Sequence, residues 1–308
     1  MKLSQSVGFR NILITGGTGL LGVAIQRTEV NNINGFSIYY PERRLVSNLP
    51  FSILAADVTD KEQMRKVFEW AKPDIVIHTA GIGSVDFAEK NRDIARTINI
   101  GGTQIIIDLC IEHNARLIYV SSNAVFDGET PLYNELSPVN PINYYGMLKV
   151  EAEELVKSSL NDWTIVRPIL MFGWHYPGER ENPVTWWLDT LRKGLPLKVV
   201  DNVYSKPLYA KFCAEVIWKI IDKGLGGIFH IAGFDHVSLY QFSVMTAEVF
   251  GLDSSLIEPV PDTYFPEIAP RPRDTSFDTY KIENELGLKP PRLEECLQHM
   301  KLSEKSEF

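Results

Sequence analysis

The stretch Asn143-Tyr-Tyr-Gly-Met-Leu-Lys149 places a tyrosine at 145 and a lysine at 149. On a helix this i,i+4 spacing puts both side chains on one face. A phenol is a poor acid–base group at neutral pH, with an ordinary pKa near 10. A neighbouring ammonium favours the phenolate, so Lys149 is expected to lower the pKa of Tyr145 and make it a usable proton donor or acceptor. Ser121 and Ser122 close the apolar run Arg116-Leu-Ile-Tyr-Val, and a hydroxyl there can hydrogen-bond a substrate carbonyl. Tyr-x-x-x-Lys alone is a weak signal in a chain with 12 tyrosines. A strand-end serine ahead of it and a glycine turn near the amino terminus make the combination specific.

That turn is Thr15-Gly-Gly-Thr-Gly-Leu-Leu-Gly22, directly after the apolar run Asn11-Ile-Leu-Ile. Gly16, Gly19 and Gly22 follow G-x-x-G-x-x-G, and Gly17, Gly19 and Gly22 follow G-x-G-x-x-G. One glycine permits the sharp turn, another lets backbone N–H groups approach a pyrophosphate, and the last allows close helix–sheet packing. The following helix adds partial positive charge at its N-terminus, so Leu20 and Leu21 are expected beside the ligand. Glu42 lies where a carboxylate would accept from an NAD ribose, whereas Arg43 and Arg44 next to it suit the 2′-phosphate of NADP. NADP(H) is therefore the preferred cofactor and NAD(H) the alternative, and the arginines read equally as a solvated turn. Asp57, with Val58, either accepts from an adenine amino group or is a turn aspartate. Ala80 and Gly81 are small enough to let a cofactor lie flat.

The elements that must position these groups alternate. Strands are expected at Asn11–Thr15, Phe36–Tyr40, Ser52–Ala55, Asp74–Thr79, Arg116–Ser121 and Trp163–Arg167, several of them uniformly apolar, as in a parallel sheet covered on both faces. Helices are expected at Leu20–Thr28, Asp60–Ala71, Asn91–His113 and Pro141–Ser159, the second opened by a Thr59–Glu62 capping box. The pattern predicts an α/β fold, a doubly wound parallel Rossmann-type sheet. After Arg167 come the aromatic stretch Met171–Trp187, helices at Pro183–Arg192, Tyr209–Lys223, Leu239–Phe250 and Arg292–Met300, and short strands near Lys198–Val200, Gly227–Ile231 and Ile257–Val260. This divides the chain into an NAD(P)-binding domain, 1–167, and a smaller substrate lobe, 168–308, whose segments can interleave with the first.

Composition narrows the function. The chain has 308 residues, 44% hydrophobic and 23% charged, with a net charge of −8. That is an ordinary globular balance with no basic stripe for nucleic acid. Cys110, Cys213 and Cys296 are scattered and odd in number, which supports neither a disulfide framework nor a thiolate metal site. His78 reads as a hydrogen-bonded core residue rather than a ligand. No apolar run approaches the roughly 20 residues of a membrane span, and the first ten residues lack a signal-peptide core. A cytoplasmic protein without a membrane partner is expected.

The order of these motifs resembles the extended short-chain dehydrogenase/reductase family, and more narrowly the dTDP-4-dehydrorhamnose reductase group with the related methionine adenosyltransferase regulatory β subunits. The residues that carry the resemblance are ITGGTGLLG, KPDIVIHTAG, SSNAVFDG, PINYYGMLKVEAE, IVRPILMFG and RPRDTSFDTYKIENELG. The resemblance implies that Ser122, Tyr145 and Lys149 form a catalytic triad. It implies that Gly16, Gly19, Gly22, Asp57, Val58, Ala80, Gly81, Asn99, Ser121 and Lys149 line the cofactor, with Pro168 and Ile169 near the nicotinamide. The expected activity is NADPH-dependent reduction of a nucleotide-linked 4-keto-6-deoxysugar. An epimerase or dehydratase, or a non-catalytic NADP-binding regulatory subunit, is the alternative, and a homodimer is possible. Two departures matter. Asn123-Ala124 stands where the group usually has Asp-Tyr. Leu20-Leu21-Gly22-Val23 follows the turn where some members carry a glutamate tied to magnesium, so no metal is expected.

Overall fold

The computed structural model describes residues 10–28, 30–42, 49–175, 179–265 and 269–304. In chain order the first half forms β1 (Arg10–Thr15), α1 (Leu20–Arg27), β2 (Ile33–Tyr39), β3 (Ser52–Ala55), α2 (Lys61–Ala71) and β4 (Ile75–His78). Then come α3 (Val85–Lys90), α4 (Arg92–Arg96), a π-helical turn (Thr97–Gly102), α5 (Thr103–His113), β5 (Arg116–Val120), α6 (Tyr144–Ser159) and β6 (Trp163–Pro168). The second half forms β7 (Met171–Phe172), α7 (Pro183–Arg192), β8 (Leu197–Val200), β9 (Tyr204–Ser205), β10 (Leu208–Tyr209) and α8 (Ala210–Lys223). It ends with β11 (Gly227–Ile231), β12 (Val237–Ser238), α9 (Leu239–Phe250), β13 (Ile257–Val260) and α10 (Leu293–Ser303).

The uniformly apolar runs become the central strands of one seven-stranded parallel sheet, ordered β11-β6-β5-β4-β1-β2-β3. Leu13 pairs with Phe36 on one side and Val76 on the other. The chain winds outward from β1 in both directions, so the crevice beyond the carboxyl ends of β1 and β4 is the topological switch point where ligands bind in such sheets. Helices cover both faces. Val67, Phe68, Ile106, Ile107 and Val156 pack on one, and α1 and α8 pack on the other through Ile25, Phe212 and Ile217.

Several boundaries differ from expectation for local reasons. Helix α2 is capped by Asp60, not Thr59: the Asp60 carboxylate accepts from the N–H groups of Glu62 and Gln63. Helix α6 begins at Tyr144 because Asn143 caps it, accepting from Gly146 N–H at 2.8 Å. The expected single helix over Asn91–His113 is broken by the π turn at Thr97–Gly102. The run from Arg92 to His113 is the one helix among the described residues long and apolar enough to cross a membrane. Here Ile106, Ile107, Leu109 and Cys110 are buried against the sheet.

Strand β11 returns to the main sheet beside β6, and Trp218 on α8 donates to the Ile25 carbonyl at 3.0 Å. The remaining elements, α7, α9, α10 and the β8–β13 pair, surround a separate core of Phe172, Trp187, Leu188, Phe242, Leu297 and Met300.

Two histidines are interior. His78 lies between the hydroxyls of Thr15, at 2.7 Å, and Thr103, at 3.1 Å. His230 contacts Arg167 and the Tyr133 carbonyl. Burial lowers both pKa values to about 3, helped by the charge of Lys149 for His78 and of Arg167 for His230. The unfolded chain binds protons that these folded imidazoles exclude. Stability is therefore full above pH 6.5 and is lost as the pH falls towards about 3, by roughly 1.4 kcal/mol per pH unit per histidine. In urea titrations from pH 7 to 4, His78→Gln is expected to lower this slope by one histidine's share. An unchanged slope would show that His78 is not excluded from protonation.

Candidate active site

The glycine turn leaves the carboxyl end of β1 and enters α1. Gly16 is left-handed, with φ of 72°, and a Cβ there would lie 2.8 Å from Thr79 Oγ1. At Gly22 a Cβ would lie 2.2 Å from the Gly16 carbonyl oxygen, so only glycine lets helix and turn close this tightly. Gly19 caps α1 with extended backbone and no side-chain hydrogen bond. The first N–H groups of α1 thus have no side-chain cap, the arrangement that receives a phosphate. Leu20 is half-buried and Leu21 buried at this helix start.

The adjacent edge is the end of β4. Thr79 donates to the Thr15 carbonyl at 2.6 Å, and Ala80 N–H donates to Thr15 Oγ1 at 3.2 Å. Asn99, buried in the π turn, holds the next residues. Its Oδ1 accepts from Ile82 N–H at 2.7 Å and its Nδ2 donates to the Ile82 carbonyl at 3.1 Å. A Cβ at Gly81 would strike Asn99 Oδ1 at 2.9 Å. The wider π turn is what aims this side chain across to the β4 loop.

Ser122, Tyr145 and Lys149 meet beyond the end of β5. Ser122 caps a short 3-10 turn over Asn123–Val125, accepting from Ala124 N–H at 3.1 Å. The Ser122 hydroxyl donates to Asn123 Oδ1 at 3.3 Å, and it lies near enough to the Tyr145 phenol to favour its ionised form. Lys149 Nζ donates to the Val120 carbonyl at 2.9 Å and to the Tyr119 hydroxyl oxygen at 3.2 Å, and lies 5.8 Å from the centre of the Tyr145 ring. All three side chains are buried.

The electrostatics differ from expectation. Tyr145 has its pKa raised, not lowered, because burial outweighs the nearby Ser122 hydroxyl and the charge of Arg180. Lys149 itself falls to about 8, driven by burial and opposed by Glu153. Ser121 likewise departs from its expected place. Its hydroxyl is buried and donates to Glu153 Oε1 at 2.5 Å, away from the crevice.

Other expected contacts fall where the sheet puts them. Asp57 Oδ1 accepts from the N–H and hydroxyl of Thr59, both at 2.8 Å, so one carboxylate oxygen serves its own turn. Val58 is buried under Gly102. Pro168 ends β6, and Ile169 N–H donates to the Ile231 carbonyl at 3.1 Å. Arg43 and Arg44 lie outside the described residues.

The strap 269–279 carries the RPRDTSFDT motif, whose place beside the site no sequence signal marks. Asp86 accepts from Ala269 N–H at 2.9 Å and from Arg271 at 2.7 Å. The α6 cap Asn143 donates to the Pro270 carbonyl at 3.0 Å, and Asn123 donates to Thr275 Oγ1 at 2.6 Å. Arg180 donates to the Gly83 carbonyl at 2.7 Å, and Thr18 in the glycine turn donates to Glu179 at 3.1 Å. No periodicity signals such long-range bonds. The buried Glu153 was more legible, since it continues the Tyr145–Lys149 face by one more helical turn.

A switch-point crevice with a glycine cradle, Asn99 on a π turn and a Ser/Tyr/Lys cluster defines the extended short-chain dehydrogenase/reductase class. Within it the chain belongs to the RmlD substrate binding domain family, which it matches over residues 10–305. It is 28% identical over 302 residues to the dTDP-4-dehydrorhamnose reductase of Aggregatibacter actinomycetemcomitans, covering 94% of this chain and 98% of that protein. It is 27% identical over 282 residues to methionine adenosyltransferase 2 subunit beta of Danio rerio, covering 89% and 84% respectively. A crystal structure of dTDP-4-dehydrorhamnose reductase from Bacillus anthracis in complex with NADP superposes with a TM-score of 0.83 at 26% identity, over 96% of this chain and 99% of that one.

The site depends on α6 lying against the Ser122 turn. A Cβ at Gly146 would lie 2.1 Å from the Ala124 carbonyl oxygen. Gly146→Ala is expected to force the two apart and destabilise the protein by roughly 1–3 kcal/mol. A melting curve superimposable on that of the wild type would contradict this contact.

Proposed function

We propose that the protein is an NADPH-dependent reductase of a nucleotide-linked 4-keto-6-deoxysugar. The observation that carries this reading is the buried cluster of Ser122, Tyr145 and Lys149, with the Lys149 ammonium 5.8 Å from the Tyr145 ring centre, at the crevice bounded by the glycine turn. The turn fits a dinucleotide: Gly16 and Gly22 let the turn close against the β4 end and α1, and α1 starts without a side-chain cap. The NADP complex of the Bacillus anthracis relative supports the choice of cofactor. Arg43 and Arg44 are assigned to the 2′-phosphate.

When bound, NADPH supplies the hydride for the sugar's keto carbon. The Ser122 hydroxyl holds the keto oxygen in place. Tyr145 gives that oxygen its proton, and the high pKa of the buried phenol keeps the proton available at pH 7. Lys149 binds nicotinamide ribose hydroxyls with its ammonium, whose other bonds go to Val120 and Tyr119. Asp57 and Val58 flank the adenine, while Ala80, Gly81 and Asn99 floor the crevice. Pro168 and Ile169 border the nicotinamide. Residues 1–167 carry the cofactor and 168–308 the sugar nucleotide, with β11 and α8 interleaved. We place the activity in the cytoplasm, in keeping with three buried free cysteines.

A second reading is favoured by Asn123-Ala124 and by similarity to the methionine adenosyltransferase β subunits. In it the dinucleotide is bound but the triad is unused. Reduction of a panel of dTDP-, GDP- and UDP-linked 4-keto sugars, followed by NADPH oxidation, separates the two. Turnover is expected, and Tyr145→Phe is expected to cut kcat by about 10²–10⁴-fold. NADPH binding with no oxidation on any member, or full activity in Tyr145→Phe, would reject the reductase reading. Arg43→Ala with Arg44→Ala is expected to raise the KM for NADPH and leave that for NADH unchanged.

A further inference from the structure

The face of α6 that carries Tyr145 and Lys149 continues to Glu153, a carboxylate only 1% exposed. Glu153 accepts from Arg167 Nε at 2.8 Å and from a terminal guanidinium nitrogen at 2.5 Å. Its Oε1 also accepts from Ser121 at 2.5 Å. Arg167 alone would satisfy the requirement that a buried charge be paired. The bond to Ser121 is additional, and it reaches the end of β5. The two residues before Ser121, Tyr119 and Val120, are those whose oxygens hold Lys149 Nζ.

The geometry points to Glu153 as the positioning residue for Lys149. It fixes the carboxyl end of β5, which grips the ammonium, and places a buried negative charge one helical turn away. The functional importance of this rests on the proposed role of Lys149 towards the dinucleotide; the bonds that tie Glu153 to the end of β5 do not.

The groups that face Lys149 are few. They are the Tyr119 phenol from β5, Tyr145 and Glu153 from α6, and from β4 the neutral His78, which feels the lysine's charge. Arg167 on β6 is occupied by Glu153. Of these, Glu153 is the charge that opposes the effect of burial on Lys149. Removing that carboxylate leaves burial unopposed, so the ammonium gives up its proton at lower pH.

The test follows Lys149 directly in the full chain without cofactor. Lysines carry a 13Cε label, Lys149 is assigned with Lys149→Arg, and the resonance is titrated from pH 5.5 to 10. The wild-type midpoint is expected at about 8. In Glu153→Gln it is expected to fall by roughly one pH unit, a tenfold rise in the acid dissociation constant. Glu153→Gln strands Arg167, which is able to unfold the protein. Glu153→Gln with Arg167→Met removes both charges; because the lost guanidinium had opposed the ammonium, a smaller fall in the same direction is expected. A midpoint that stays at the wild-type value in either folded variant overturns the proposal. NADPH binding measured across the same pH range is expected to weaken at correspondingly lower pH in the variants. A shifted Lys149 midpoint in a protein that does not bind NADPH supports the positioning role and rejects the dinucleotide reading instead.

Discussion

Helix α6 presents a phenol, an ammonium and a carboxylate to the protein interior. Burial of unpaired polar groups costs several kcal/mol each, so this face is tolerated only because almost every atom on it is matched. Glu153 has Arg167 and Ser121, Lys149 has Val120 and Tyr119, and Tyr145 has Ser122. The matching groups come from the ends of β5 and β6. The helix must therefore lie at one height along the sheet, and the absence of a side chain at Gly146 lets it close against the Ala124 carbonyl. The proposed triad is a consequence of this register: the bonds that satisfy buried charges also bring Ser122 to Tyr145.

The same constraint explains what could be read from the sequence. The strands were legible because parallel strands covered on both faces are apolar without alternation, as in Ile12–Ile14 and Ile75–Ile77. The glycine turn was legible because three spaced glycines have few other uses between a strand and a helix. The pairing of Tyr145 with Lys149 followed from helical spacing. Its electrostatic consequence did not, since spacing reveals proximity but not desolvation, and desolvation decided the direction for both groups. The inward turn of Ser121 was hidden for a similar reason. Neighbouring serines at a strand end point to opposite faces, and only the position of Glu153 shows which one faces the core.

What ties residues 179–180 and 269–279 to the sheet end was least legible. The strap 269–279 and residues 179–180 use backbone carbonyls and N–H groups as partners, which every residue type has. Their charged bonds, such as Arg271–Asp86 with both side chains 36% exposed, are of a kind that contributes only about 0–1 kcal/mol. Ala269 N–H to Asp86 and Asn143 to the Pro270 carbonyl add direction rather than much strength. These contacts are therefore specific in geometry and modest in energy.

The energetics of Lys149 bear on whether the crevice serves only to hold a ligand. Lowering its pKa from 10.5 to about 8 sets a cost on the order of 3 kcal/mol against the folded state at neutral pH. An apolar side chain of similar length at 149 would avoid that cost and still fill the space beside Tyr119. A buried lysine held by a carbonyl and a phenol, next to a buried phenol beside a serine, breaks the rules of core construction at one place and in one cluster. Violations that are paired and concentrated in this way mark sites where charge does chemistry or binds a ligand. A bound dinucleotide accounts for the lysine. It does not by itself account for the buried phenol of Tyr145, which has Ser122 and Lys149 as neighbours. Proton transfer to a keto oxygen held by Ser122 accounts for both, and on that ground the reductase reading is preferred to the purely regulatory one.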